Sequence, residues 1–299
     1  MEYRYLGNSG IKVSPLCIGS MQFGWTADEA SSYQVLSSAY EAGINFIDTA
    51  DVYSLGESET LLGNSLKGIR NEIVLATKVR LPMGGNFNRS GATRVNIMRE
   101  VEGSLQRLQT DYIDLYQAHS MDSLTPMEET LGAFDILVRQ GKVRYVGCSN
   151  FSAWQTMKAV AISERSGLAR YISQQIQYSL LVRDAEYDLI PMGLDQGVGV
   201  MAWSPLMFGL LSGKIRRDAP QPTEGRLAAL GVPSRPYFAP LHLQPLYRRM
   251  FGFGPGDFPV TERVAASTLA LPFSSRLAGE DVRYIADALV EAVDAEAGS

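Results

Sequence analysis

Histidine and cysteine are scarce in this chain, which has 299 residues and only two of each. His119 and His242, like Cys17 and Cys148, lie far apart and lack the spacing of metal ligands, so a zinc site is not expected. Two cysteines provide no disulfide framework. Because both lie within apolar runs, we expect buried reduced thiols, which are typical of a cytoplasmic protein.

The chain also lacks an excess of positive charge and any long hydrophobic run. Its 27 basic and 32 acidic residues give a formal net charge of −5, which argues against a general phosphate-backbone binder. No apolar run approaches the roughly 18 residues that span a bilayer, and the N-terminal residues lack the apolar core of a signal peptide. We expect a cytoplasmic protein with neither nucleic acid nor membrane as a partner. The sequence does not indicate an oligomeric state.

Short apolar runs alternate with longer amphipathic ones from residue 15 to about residue 205. Runs of this length and composition are typical of strands buried on both faces. The predicted strands are Pro15–Ile18, Ile44–Asp48, Glu72–Thr77, Tyr112–Gln117, Val143–Cys148, Tyr171–Gln177 and Val198–Trp203. The predicted helices are Asp28–Ala42, Glu57–Leu66, Thr93–Leu108, Pro126–Gln140, Phe151–Arg165 and Ala185–Asp195.

Such a series of βα units allows either a closed eight-fold barrel or an open doubly wound sheet. An open dinucleotide-binding sheet should show the pattern GxGxxG after its first strand, but Gly19–Gly24 reads GSMQFG. The sequence therefore favours an α/β fold of the (β/α)8 TIM-barrel type, as one domain over residues 1–299. A short hairpin of Tyr3–Leu6 and Lys12–Val13 is expected to plug its bottom.

Polar residues follow the predicted strands, and in a barrel these strand ends meet at one mouth. Asp48, Lys78 and His119 lie at three successive ends, and Tyr53 follows Asp48 by five residues. A tyrosine hydroxyl can protonate an alkoxide formed by hydride addition to a carbonyl, but its ordinary pKa of about 10 is high for this task. A neighbouring ammonium is expected to lower that pKa, an aspartate to hold the ammonium, and a histidine to orient the carbonyl oxygen.

Each of these residues has an ordinary structural reading when it is taken alone, and only their joint occurrence favours catalysis. The later strand ends add Ser149, Asn150, Gln175 and Trp203. At the third of these positions the register leaves Gln174 or Gln177 as alternatives. Further residues near strand ends can line a substrate pocket or serve in packing: Phe23, Trp25, Arg80 and Phe208.

Four segments resemble signatures of the aldo-keto reductase family. They are Gly43–Tyr53 (GINFIDTADVY), Thr110–His119 (TDYIDLYQAH), Gly141–Phe151 (GKVRYVGCSNF) and Trp203–Leu206 (WSPL). The resemblance covers about residues 1–217. It implies a catalytic tetrad of Asp48, Tyr53, Lys78 and His119, with Tyr53 as the proton donor, NADPH as the cofactor and a small carbonyl compound as the substrate.

The same resemblance implies a set of cofactor contacts along the barrel mouth. Ser149, Asn150 and Gln175 would hold the nicotinamide carboxamide, and Trp203 would stack on the ring. The remaining expected contacts are Gly19, Ser20, Met21 and Asp48 near the first strands, and Ser204, Pro205, Leu206, Gly209, Leu211, Ser212, Gly213 and Lys214 around the pyrophosphate.

The end of the chain departs from this family. Residues 226–293 resemble the C-terminal end of pyridoxal-phosphate-dependent sugar aminotransferases, without the segment that carries their Schiff-base lysine. We expect residues 218–299 to form an atypical tail whose run 268–273 supplies an eighth barrel strand, followed by a helix up to residue 293. Between them Ser274, Ser275 and Arg276 are hypothesised to bind the 2′-phosphate of NADPH.

The predicted function is NADPH-dependent reduction of an aldehyde or ketone, with a keto-sugar as one candidate substrate because of the aminotransferase-like tail. Because the cofactor grip depends on that tail, the sequence also allows an NADP(H)-binding protein with little or no catalysis. Such a protein would act as a sensor or as a subunit that docks a partner.

Overall fold

The computed structural model describes residues 1–85 and 88–207 and, beyond them, residues 211, 235–236, 255, 269–270 and 287. The chain divides into two compact units, Met1–Phe208 and Gly209–Ser299. The prediction of one barrel domain over the whole chain stays a prediction. Within the described part of the chain, no helix combines the length and apolar character needed to cross a bilayer.

The described residues of the first unit include nine short strands. A hairpin of β1 (Arg4–Tyr5) and β2 (Lys12–Val13) is antiparallel. The other seven form one parallel sheet in chain order: β3 (Ile18–Gly19), β4 (Phe46–Asp48), β5 (Val74–Val79), β6 (Ile113–Ala118), β7 (Val143–Ser149), β8 (Tyr171–Gln177) and β9 (Gly199–Trp203). Each of the seven predicted runs overlaps one of these strands. Sequential parallel order with a helix in each connection is the arrangement of a TIM-like barrel.

Six α-helices connect these seven strands. They are α1 (Glu29–Glu41), α2 (Glu57–Ser65), α3 (Arg94–Leu108), α4 (Met127–Arg139), α5 (Ala153–Ser166) and α6 (Leu189–Gln196). Thr93 caps α3 by accepting a hydrogen bond from the N–H of Asn96. The last helix begins at Leu189 and not at Ala185 as predicted, because Pro191 lacks an N–H donor and is tolerated only in a first turn.

Alternation along the strands separates two apolar layers. The larger core lies between sheet and helices and includes Leu75, Val101 and Phe134. A smaller cluster joins the hairpin residues Leu6 and Val13 to the inward-facing side chains Phe46, Val74, Ala76, Leu115 and Met201. The hairpin therefore packs against the inward face near the strand starts, which confirms its predicted position.

In the second unit, two short strands form their own antiparallel pair. β10 (Arg235–Pro236) pairs with β11 (Leu269–Ala270). Of the run 268–273, which was expected to supply an eighth barrel strand, only these two residues are described, and that role stays a prediction. The parallel sheet has seven members among the residues described, and the predicted helix up to residue 293 lies largely outside them.

Candidate active site

The inward face of the sheet leads directly to the predicted catalytic side chains. Side chains two residues apart on a strand share a face. Asp48 follows the interior residue Phe46, Lys78 follows Ala76, and Trp203 follows Met201. His119 comes immediately after β6, and Tyr53 opens a short 3-10 turn after β4. The structure thus gathers Asp48, Tyr53, Lys78 and His119 at the carboxyl ends of β4, β5 and β6.

The Lys78 ammonium has an acceptor for each of its three N–H groups. Lys78 Nζ lies 2.5 Å from Asp48 Oδ2, 2.9 Å from the Thr49 carbonyl oxygen and 3.1 Å from the Tyr53 hydroxyl oxygen. An ammonium can only donate, so the Tyr53 oxygen accepts from Lys78. The proton of Tyr53 is then available for another acceptor.

Burial and neighbouring charges have opposite effects on the pKa values of Lys78 and Tyr53. Full burial disfavours a charged lysine, but Asp48 and Tyr53 outweigh it, so the pKa of Lys78 is raised and the ammonium persists. Burial also raises the pKa of Tyr53, while Lys78 opposes this through its charge and hydrogen bond. The expected lowering of the Tyr53 pKa is therefore not borne out, because burial of the hydroxyl and the negative charge of Asp48 outweigh the effect of the Lys78 ammonium.

His119 stands next to Tyr53 in a neutral state. Their ring centroids lie 5.7 Å apart in an edge-to-face arrangement. Burial, and then the positive charges of Lys78 and Arg80, lowers the pKa of His119 to about 3. The imidazole is therefore uncharged at physiological pH and can orient a carbonyl oxygen by hydrogen bonding, but it is not a resident cation.

The residues predicted for the nicotinamide form a linked group beside His119. Asn150 has a left-handed backbone (φ 55°), and its side-chain amide donates to the His119 carbonyl oxygen at 3.2 Å. Trp203 Nε1 donates to Asn150 Oδ1 at 3.0 Å, and the buried Ser149 hydroxyl accepts from the Asn150 amide at 3.1 Å. The amide and hydroxyl groups suited to a carboxamide therefore lie together with an indole.

The register assigns Gln175 and Gln177, but not Gln174, to the inward face. Gln175 pairs with the interior residue Met201. Gln174 points to the opposite side, where its amide donates to the Leu189 carbonyl oxygen of α6 at 2.7 Å. Gln177 shares the face of Gln175 one step closer to the mouth and is partly buried. The geometry favours Gln175 over Gln174.

The structure describes some of the other predicted cofactor contacts and not the rest. Gly19 is exposed, Met21 is partly buried, and Ser20 is buried with its hydroxyl donating to the Asp48 carbonyl oxygen at 3.1 Å. Pro205 and Leu206 are exposed, while Ser204 and Leu211 are partly buried. The remaining predicted contacts lie outside the described residues: Gly209, Ser212, Gly213, Lys214, Ser274, Ser275 and Arg276.

Three of the residues predicted as pocket or packing are described. Phe23 is buried in the core between sheet and helices, so it serves in packing. Trp25 is exposed, and Arg80 is close enough to affect His119 electrostatically; Phe208 lies outside the described residues. Cys148 is buried as expected, but Cys17 is exposed, so the expectation of a buried thiol is wrong for Cys17.

Comparison with known proteins decides the family. The sequence profile described as "Aldo/keto reductase family" matches residues 15–245. The chain belongs to the aldo/keto reductase family. It is therefore an oxidoreductase that acts on carbonyl compounds with a nicotinamide cofactor. The match runs past residue 217, where the sequence resemblance was placed to end, and the likeness of residues 226–293 to aminotransferases stays a prediction.

Curated relatives of this aldo/keto reductase come from bacteria and fungi. The chain is 44% identical to the uncharacterized oxidoreductase YrpG of Bacillus subtilis, over 72% of this chain and 69% of the relative. It is 38% identical to a versiconal hemiacetal acetate reductase of Aspergillus parasiticus, over 71% and 69%. It is also 38% identical to a putative voltage-gated potassium channel subunit beta of Schizosaccharomyces pombe, over 74% and 66%.

Two buried polar residues near the tetrad were missed by sequence reasoning. Gln117 donates to Asp48 Oδ1 at 3.1 Å, and Asp51 lies fully buried two residues before Tyr53. Strand alternation could have found Gln117, because it follows the interior residue Leu115 by two positions. No comparable signal marks Asp51, since a loop carboxylate is usually solvated.

Asp51 is a buried acid that forms no ion pair with any described residue. Neither of its carboxyl oxygens has a hydrogen-bond partner in the part of the chain that is described. Nearby Glu59 is paired with Arg107 at 2.7 Å, and Glu100 with Arg89 at 3.2 Å. Burial, together with the negative charges of Glu59 and Glu100, raises the pKa of Asp51 to about 8. Asp51 is therefore protonated at neutral pH.

Replacing Asp51 by asparagine should stabilise the protein increasingly as the pH rises. Between the ordinary pKa of 3.8 and the folded value of about 8, the native state keeps a proton that the unfolded chain releases, so wild-type stability falls with pH in this window. The advantage of Asp51→Asn should grow by on the order of 3 kcal/mol between pH 5 and pH 8 and then level off. Denaturant unfolding at both pH values measures it.

Asp122→Asn provides the control of opposite sign. Burial opposes ionisation there too, but hydrogen bonds from Thr125, Ala92 and Leu124 lower the pKa of Asp122 below its ordinary value. Its contribution to stability is complete above the ordinary pKa of 3.8, so the loss caused by Asp122→Asn should be equal at pH 5 and pH 8. A pH-independent effect of Asp51→Asn would show that Asp51 is ionised in the native state.

Proposed function

We propose that this chain reduces an aldehyde or ketone to an alcohol with NADPH, and that Tyr53 donates the proton. One observation carries the proposal. The three N–H groups of Lys78 are all accounted for, with the Tyr53 oxygen as one acceptor, so the Tyr53 proton is left to protonate a substrate oxygen. A substrate carbonyl at the strand ends would therefore meet a proton donor backed by a fixed positive charge.

The groups of the mouth fit a nicotinamide nucleotide. Ser149, Asn150 and Gln175 would bind the carboxamide, with Trp203 against the ring. The partly described stretch after β9 would hold the pyrophosphate through Ser204, Pro205, Leu206, Gly209, Leu211, Ser212, Gly213 and Lys214, while Ser274, Ser275 and Arg276 would hold the 2′-phosphate. When bound, NADPH supplies the hydride.

The side chains of the tetrad donate the proton, stabilise the charge that forms and orient the substrate. Tyr53 protonates the developing alkoxide, and Lys78 stabilises the phenolate that this leaves behind. Asp48 keeps Lys78 charged and in place. Neutral His119 can hydrogen-bond the substrate oxygen and so orient it toward Tyr53. This proton transfer moves the negative charge from the alkoxide to the Tyr53 oxygen, which lies 3.1 Å from the Lys78 ammonium.

The substrate is proposed as a small carbonyl compound. One relative is named for the reduction of a hemiacetal acetate, which fits a carbonyl centre of this kind. A keto-sugar remains a narrower suggestion that depends on the aminotransferase-like tail. The proposal includes a cytoplasmic location and no nucleic-acid or membrane partner.

A second candidate function is NADP(H) binding with little or no catalysis, as a sensor or docking subunit. It is favoured by one relative, 38% identical, that is named as a putative potassium channel subunit beta. The tetrad favours the enzyme. Burying the charged Lys78 is energetically unfavourable, and NADP(H) binding alone would not require it.

Titration with NADPH, followed by assays on a panel of aldehydes and ketones, separates the two functions. We expect quenching of tryptophan fluorescence that is reduced in Trp203→Phe but not in Trp154→Phe, since Trp154 is exposed on helix α5. We also expect NADPH oxidation with at least one carbonyl. Quenching without oxidation would support the binding protein. Equal NADPH affinity in Arg276→Ala and wild type would contradict the 2′-phosphate role.

A further inference from the structure

Gln117 holds the second oxygen of the Asp48 carboxylate. It is fully buried in β6 and lies in register with Lys78 of β5. Its Nε2 donates to Asp48 Oδ1 at 3.1 Å, while Lys78 Nζ donates to Asp48 Oδ2 at 2.5 Å. Two neighbouring strand residues therefore grip the two oxygens of one carboxylate, so that Asp48 cannot turn without losing a donor.

The orientation of the Gln117 amide is fixed at a cost. An ionised carboxylate only accepts hydrogen bonds, so the NH2 group must face Asp48. The amide oxygen Oε1 is then buried, without a partner in the described ranges. A buried unsatisfied acceptor destabilises the folded state, and a leucine at this position would avoid that cost. A buried unsatisfied polar group next to catalytic residues is typical of a residue with a functional role.

We propose that Gln117 is a positioning residue of the tetrad, which acts on Tyr53 through Asp48 and Lys78. By fixing Asp48, it keeps the Lys78 ammonium in the orientation whose third N–H reaches the Tyr53 oxygen at 3.1 Å. Without Gln117, Asp48 Oδ1 would be left with no donor among the described groups around it. The carboxylate could then turn and draw Lys78 away from Tyr53. This inference rests on the proposed reductase function.

The amide donates without adding a charge, and this property makes the proposal testable with glutamate. In Gln117→Glu, a protonated carboxyl can still donate to Asp48. Once it ionises, two carboxylates face the single ammonium of Lys78, and the pair titrates as a unit. The variant should therefore work at low pH and fail as the pH rises, whereas a residue needed only for packing would produce no such dependence.

Gln174 offers a matched control on the other face of the sheet. It is a buried strand glutamine with its own unpartnered Oε1, and its amide donates to the Leu189 carbonyl oxygen. Leucine and glutamate variants at both positions would be assayed for kcat and KM from pH 5 to pH 9. NADPH affinity by tryptophan fluorescence and the thermal unfolding midpoint would be measured alongside.

We expect Gln117→Leu to lower kcat on the order of 10- to 100-fold, as for loss of a group that orients a catalytic residue, with KM and NADPH affinity nearly unchanged. Gln117→Glu should approach wild-type kcat near pH 5 and lose activity toward pH 9. Both Gln174 variants should keep the wild-type pH profile. In the free protein, Gln117→Leu and Asp48→Asn should together lower the unfolding midpoint by less than the sum of the single changes.

Two results would overturn the positioning role in different ways. An active wild type whose kcat is untouched by Gln117→Leu would remove the role of Gln117 and leave the reductase function standing. So would a Gln117→Glu variant that is impaired equally at every pH. A wild type that binds NADPH but reduces no carbonyl would instead overturn the proposed function, and the positioning role with it.

Discussion

Tyr53→Phe should abolish carbonyl reduction while NADPH binding stays nearly intact. The substitution removes one oxygen atom, the acceptor of the 3.1 Å hydrogen bond from Lys78 and the source of the proton for the alkoxide. Loss of a general acid is expected to lower kcat on the order of 10²–10⁴-fold. Steady-state kinetics with a carbonyl that the wild type accepts, together with fluorescence titration of NADPH, measures both quantities.

Tyr171→Phe is the matched control for this change. Tyr171 is also buried, and its hydroxyl makes no hydrogen bond to any described residue, because it packs among Phe134 and Phe151. Deleting that hydroxyl should leave kcat at the wild-type value. If Tyr53→Phe retained turnover, Tyr53 would not be the proton donor.

Lys78→Met should combine a large loss of activity with a large loss of stability. Methionine matches the length of the lysine stem but cannot donate to Asp48, Thr49 or Tyr53. Without the ammonium the Tyr53 phenolate loses its stabilising charge, so kcat should fall on the order of 10²–10⁴-fold. Removing one partner of a buried ion pair typically costs about 3–5 kcal/mol, which denaturant unfolding would detect.

The stability effect has an internal check. In Asp48→Asn/Lys78→Met the uncompensated carboxylate is gone, so the double variant should be more stable than Lys78→Met alone, although both are inactive. Lys158→Met on the exposed face of α5 should change neither quantity. Activity of Lys78→Met within a factor of about ten of wild type would contradict the role of the ammonium.

Sequence patterns predicted most elements of the first unit because each strand or helix carries its own local signal. The seven strands are rich in apolar residues, Thr93 caps helix α3, and the Gln155 side chain accepts a hydrogen bond from the Ser152 N–H at the start of α5. Errors fall where one residue overrides the pattern. Pro191 delayed the start of α6 relative to the prediction.

The tetrad could be predicted because strand ends of a barrel converge, so positions along the chain suffice. Its electrostatics could not, since the balance between burial and charge depends on distances. The sequence suggested a lowered pKa for Tyr53, but burial raises it. Asp51 was missed for the same reason, because only the fold shows that this loop carboxyl is buried two residues before Tyr53. Gln117 could have been found, since it follows the interior residue Leu115 by two positions.

The most direct test follows the hydride itself. The purified chain would be incubated with a carbonyl substrate and NADPH deuterated at nicotinamide C4, and the alcohol examined by mass spectrometry. If the hydride is transferred in the site formed by Asp48, Tyr53, Lys78 and His119, the alcohol should carry deuterium on the former carbonyl carbon. It should form in proportion to the NADPH oxidised. The Tyr53→Phe variant should form none of this labelled alcohol. Tight NADPH binding without any labelled alcohol would contradict the account.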